Sequence, residues 1–221
     1  MASLITPSQT QPVSGQVLPT PPLPSTLRVW SDRVAGIVSA VFSPPVLGIA
    51  MIAIAAGATR RAAAWAWAGI PLALNVLAPI LFLIWLYRRG LVSDLDVQRR
   101  EERARPLLFT LASMLTAAVI LWRTAAPSLL LGVSIAQLLQ TALVLTITLR
   151  WKISMHGAAS AAWLTLLISV AGWAASPALL ALPLVAWSRV HLGRHTPAQT
   201  VAGAALGSLV TWSVLMGSHL R

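Results

Sequence analysis

The residues able to do chemistry gather in three short polar stretches of an otherwise apolar chain. The first is Asp94-Leu-Asp96-Val-Gln-Arg99-Arg100-Glu101-Glu102-Arg103-Ala-Arg105-Pro106, which holds four of the five acids. The second is Arg150-Trp-Lys152-Ile-Ser154-Met-His156, and the third is Ser188-Arg189-Val-His191-Leu-Gly-Arg194-His195-Thr196-Pro197. Guanidiniums suit the bidentate, charge-assisted recognition of phosphate oxygens. Imidazoles attack, or move protons, near neutral pH. Together these groups describe a pocket for a phosphate. In the third stretch Thr196, Pro197 and Gln199 read as an N-cap, a first-turn proline and a capping-box glutamine. His195 then stands at a helix N-terminus, where anions are favoured.

The elements that position these stretches are hydrophobic. Of 221 residues, 57% are apolar and 10% are charged, against about 25% charged in soluble domains. The mean hydropathy is +0.78. A spanning helix takes about 20 apolar residues. Candidate spans run over 34–59, where Pro44 and Pro45 should kink or split the helix, then 62–87, 106–123 and 126–149. The uncharged stretch from Ile153 to Ser188 is too long for one span. With a turn over Gly172 to Pro177 it becomes a hairpin of two short helices. The last span covers 197–217, with Gly203 and Gly207 as a small-residue packing face.

The expected fold is therefore all-α, a polytopic transmembrane bundle of about seven hydrophobic helices over 34–221. Residues 1–33 form a Pro/Ser/Thr-rich arm expected to be disordered. No basic region precedes an apolar core there, so the arm does not read as a signal peptide.

Seven spans bring the three polar stretches to one face; six, with 153–188 merged into one helix, would send the third to the opposite face. Trp30, Trp65, Trp85, Trp122, Trp151, Trp187 and Trp212 fall near span ends, as interfacial belts do. Of the 16 Lys and Arg, only Arg60, Arg61, Arg123 and Arg221 fall on the far side. The positive-inside rule then turns the polar stretches toward the cytoplasm of a multi-pass protein, expected in a bacterial inner membrane. The net charge of +11 reads as loop topology and phosphate binding, with no nucleic-acid partner expected. The absence of cysteine excludes disulfides and thiolate metal sites.

Ser188-Arg189, five residues, then His195 resembles the third signature of the type-2 phosphatidic acid phosphatase superfamily. Ser154 and His156 resemble the Ser and His of its Pro-Ser-Gly-His signature. Arg105-Pro106 resembles the end of its Lys, six-residue, Arg-Pro signature. The three matches span the chain from about Asp94 to Gly207.

The resemblance implies a metal- and cofactor-independent phosphomonoesterase or diphosphatase inside a helical bundle. His195 would attack phosphorus and His156 would protonate the leaving alkoxide. Arg105 and Arg189 would hold phosphoryl oxygens, with Lys152 and Arg99 adding charge. The implied substrate is a lipid phosphate or isoprenoid diphosphate drawn from the membrane lipids.

The sequence departs from the family pattern at four places. Gln199 stands where the family has an Asp, Gln98 where it has the opening Lys, and Ile153 and Met155 replace its Pro and Gly. A carboxylate orients a histidine and stabilises its positive charge; an amide does only the first. Two outcomes stay open: a phosphatase with a Gln variant, or an impaired member serving as a structural or lipid-binding subunit of a membrane protein complex. Lys152 also reads as a snorkelling residue, Arg99 to Arg105 as a salt-bridged helix with Glu101 and Glu102, and His191 and His219 as interfacial. Asp94-x-Asp96 faintly resembles a prenyltransferase diphosphate–magnesium loop. That reading needs a second Asp-rich motif, and outside this stretch the chain has only Asp32.

Overall fold

The computed structural model describes residues 25–95, 97, 99–102 and 104–219; residues 1–24 of the arm expected over 1–33 and the departure at Gln98 lie outside them, while 25–33 belong to the first helix. Among the described residues every regular element is helical. Helix α1 (Ser25–Val41) leads into α2 (Pro44–Ala58) through a 42° bend. The bend follows from Pro44-Pro45. A residue before proline avoids the helical region, and Ser43 is extended at φ −70°, ψ 149°, while proline is at home in a first turn. α1 starts at Ser25, ahead of the charge-free stretch that begins at Val34.

Helix α3 (Ala64–Pro71), a π-helical turn (Leu72–Leu77) and α4 (Ala78–Arg88) run on as one element. Pro71 lacks an N–H and crowds the preceding turn, which accounts for the local widening. A loop with a short 3-10 turn (Arg100–Glu102) leads to α5 (Ala104–Arg123) and then α6 (Ser128–Thr148). The chain finishes with α7 (Met155–Ala171), a 3-10 segment (Gly172–Leu180), α8 (Ala181–His191) and α9 (Pro197–His219).

Five stretches are long and apolar enough to cross a membrane: Ala64–Arg88, Ala104–Arg123, Ser128–Thr148, Met155–His191 and Pro197–Gly217. The bent pair Arg28–Val41 and Pro44–Ala58 passes as a sixth. The chain is an integral membrane protein built as a helical bundle. All seven tryptophans expected at span ends are exposed, from Trp187 at 39% to Trp122 at 65%. That placement suits residues sitting between lipid tails and water.

The stretch Met155–His191 doubles back. Straight, it would hold His156 and Arg189 roughly 50 Å apart at the helical rise, yet both meet the hydroxyl of Ser39. The reversal begins at Gly172, at φ 64° and ψ −155°, a region open in practice to glycine alone. The expected hairpin is present, and with it the parity that brings the second and third polar stretches together.

α9 packs against α7 at backbone distance. A Cβ on Gly157 would come within 2.7 Å of the Thr200 carbonyl oxygen, and Cβ atoms on Gly203 and Gly207 would strike the backbone of Ser154 and Ala158. Away from the polar stretches the bundle closes on Met51, Ile52, Ala55, Leu121, Leu130, Val133, Ala162, Leu166 and Leu215. This packed half leaves the other half open as a cavity.

Candidate active site

The site is assembled from loop ends and helix starts. Ser154 caps α7, its Oγ accepting the N–H of Gly157 at 3.2 Å. That cap sets His156 in the first turn of α7, where it is 7% exposed. Ser154 N–H also donates to the carbonyl of Gln199 at 3.2 Å, tying the second polar stretch to the third. Arg189, 4% exposed, lies in the last turn of α8. Its carbonyl accepts the N–H of Arg194 at 3.0 Å and of His195 at 3.2 Å, so the loop closes tightly and tucks His195 inside.

The expected capping box opens α9. The N–H of Gln199 donates to Thr196 Oγ1 at 3.3 Å, and the N–H of Thr196 donates to Gln199 Oε1 at 3.1 Å. The same Oε1 lies 3.2 Å from His195 Nδ1. A backbone N–H only donates, so the atom facing Thr196 is the amide oxygen. His195 Nδ1 must then carry a proton, and in the neutral ring the lone pair is on Nε2. A neutral histidine in this tautomer is a nucleophile at Nε2.

His156 and Arg189 line a cavity of about 650 Å³. Its walls are mostly apolar, with Gly36, Pro44, Met51, Leu83, Leu107 and Val144 among them. Arg194 lines it too, a residue of the third stretch to which the sequence assigned no role. Arg105 is exposed at the start of α5, and Arg99 is exposed and pairs with Glu102 at 3.9 Å. Lys152 is half-buried in the loop before α7. These three do not line the cavity, and neither do His195 and Gln199, which reach it only through the loop that follows Arg189.

Two contributions from α1 escaped the sequence reading. Ser39 accepts a bond from Arg189 Nη1 at 2.6 Å and stands 3.4 Å from His156 Nε2. Asp32 pairs with His191 Nε2 at 2.8 Å, so His191, expected to be only interfacial, also holds α1 to α8. Between them Ser188 Oγ donates to the Ala35 carbonyl at 2.7 Å. The signal was helical spacing: Asp32, Ala35 and Ser39 recur at three- and four-residue steps on one face.

The fold and the site thus define a membrane-embedded helical bundle with buried His156 and Arg189 lining a mostly apolar cavity. Residues 140–220, from the middle of α6 to the end of α9, match the family model of the PAP2 superfamily. The chain is consistent with a member of the type-2 phosphatidic acid phosphatase superfamily, whose activity is of the phosphatase type on phosphate esters. The match covers His156, Arg189, His195 and Gln199 and leaves out α1 to α5. No curated protein and no solved structure matches the chain.

Proposed function

We propose that the protein hydrolyses a lipid phosphate or an isoprenoid diphosphate through a phosphohistidine, without metal or cofactor. The observation that carries this reading is the mostly apolar cavity lined by buried His156 and Arg189. A hydrocarbon tail in the cavity would hold the phosphate beside them. The Nε2 lone pair of His195 forms a bond to phosphorus as the bond to the leaving oxygen breaks. The electron pair passes to that oxygen, which takes a proton from His156. Arg189, with Arg194 beside it, offsets charge on the phosphoryl oxygens. Water then attacks phosphorus, gives its proton to His156, and the P–N bond breaks to restore His195. Arg105, in the first turn of α5, and Lys152 and Arg99, in the loops, would add positive charge from outside the cavity lining.

The second reading is a catalytically impaired member, a structural or lipid-binding subunit of a membrane complex. Gln199 favours it, because an amide adds no negative charge beside His195 as it becomes cationic.

Phosphate release from a panel of lipid phosphates, with EDTA present, tests the proposal. The wild type should release phosphate, and His195→Ala and His156→Ala should lower kcat by about 10³-fold or more. Full activity in His195→Ala would remove the nucleophile assignment, and loss of activity in EDTA would remove the metal-free route. Silence across the panel, with a stoichiometric membrane partner co-purifying, would favour the second reading.

A further inference from the structure

Ser39 belongs to α1, outside the segment that matches the family. It is 9% exposed and lines the same cavity as His156 and Arg189. Arg189 Nη1 can only donate, so Ser39 Oγ accepts at 2.6 Å. The serine proton can then turn toward His156 Nε2, 3.4 Å away, when that nitrogen holds a lone pair. When His156 is protonated, the second lone pair of Oγ can receive its N–H instead. One hydroxyl therefore suits both protonation states that a general acid–base alternates between, with no movement of either ring or guanidinium.

The position of Ser39 is set from outside the site. The Asp32–His191 pair at 2.8 Å and the bond from Ser188 Oγ to the Ala35 carbonyl at 2.7 Å fasten α1 along α8. Ser39 follows Ala35 by one helical turn on the same face. The bend before Pro44 ends α1 there, and α2 departs at 42°.

We infer that Ser39 is a positioning residue of the phosphate site, holding His156 and Arg189 on one oxygen, so that α1 is part of the catalytic unit. The inference rests on the hydrolytic reading for its kinetic consequence. A hydroxyl bonded to a charged group contributes about 1.5–3 kcal/mol, or about 10- to 100-fold.

The test compares the full chain in detergent micelles as wild type, Ser39→Ala and Asp32→Ala. Phosphate release is measured beside ¹⁵N spectra of labelled histidine. Ser39→Ala should lower kcat by about 10- to 100-fold with KM changed less than about twofold, and should move the His156 Nε2 resonance. Asp32→Ala removes only the outer tie of α1; the Ser188–Ala35 bond, one turn from Ser39, remains, so that resonance should stay in place and kcat should stay within about twofold. Wild-type kcat and an unmoved resonance in Ser39→Ala would overturn the inference. An equal kcat loss in Asp32→Ala would overturn it too, since docking of α1 would then be the whole effect. If the wild type releases no phosphate from any lipid, the hydrolytic reading fails. The Nε2 resonance alone then decides whether Ser39 holds His156.

Discussion

Gln199 Oε1 lies 3.2 Å from His195 Nδ1, in the place where a carboxylate would serve as both orienter and counter-charge. The 3.2 Å contact suits the first role. The Thr196 N–H pins the amide oxygen, and the oxygen fixes the tautomer. The second role is missing, and that separates orientation from electrostatics in a way one substitution can measure. Gln199→Asp should keep the His195 contact and raise kcat by about tenfold or more, because an anion now faces the cation formed on phosphoryl transfer. Gln199→Leu should lower kcat by about 100-fold and cost about 1 kcal/mol of stability through the lost cap. Burst kinetics of phosphohistidine formation, beside thermal unfolding, check both. An unchanged burst rate in Gln199→Asp would show that charge at this position is not limiting.

The contact of α7 with α9 predicts sharp intolerance at two glycines. A Cβ on Gly203 or Gly207 would collide with the backbone of Ser154 and Ala158, which has no side chain to rotate away. Gly207→Ala should destabilise the protein by about 2–3 kcal/mol, seen as a lower Tm in detergent. Gly203→Ala should also lower kcat, since it pushes on Ser154, whose N–H bonds to the Gln199 carbonyl at the site. Gly36 is the control. Nothing lies within 4 Å of a Cβ there, and Gly36→Ala should leave Tm unchanged.

The loop before α5 carries a pH-dependent closure. Glu102 accepts the Ser93 N–H at 2.7 Å and its hydroxyl at 2.9 Å. The backbone bond from Ser93 holds the Glu102 carboxyl below its ordinary value of 4.5, aided by the Ser93 hydroxyl and the nearby Arg99, while partial desolvation works against them. A lowered folded value means that the contribution is complete above the ordinary carboxylate range. It is lost as pH falls through the depressed value. Hydrogen exchange at the Ser93 amide should stay slow at neutral pH, after correction for intrinsic rates, and lose its protection only below the ordinary carboxylate range. Glu102→Gln should flatten this pH dependence.

Much of this architecture was legible because the bilayer imposes simple rules on a sequence. Apolar length marked the spans, and Pro44-Pro45 marked the bend. Thr196-Pro197-Ala-Gln199 announced the start of α9, where the structure holds a reciprocal capping box. The hairpin was legible from excess length, since 36 uncharged residues cannot lie in one crossing. Ser39 was not. A serine in an apolar helix has no pattern of its own, and its partners are 117 and 150 positions away. Arg105 was legible only by its pairing with Pro106: the proline, third residue of α5, lies in its first turn as expected, and Arg105 beside it is exposed.

On the proposed reading, the border between the packed core and the cavity would act as a ruler. Met51, Val76 and Ala162 belong both to the packed cluster and to the cavity wall. A tail whose headgroup is held at Arg189 would be accommodated only as far as such shared walls allow. Further methylenes would then stay in the bilayer, and the fold would discriminate chain length.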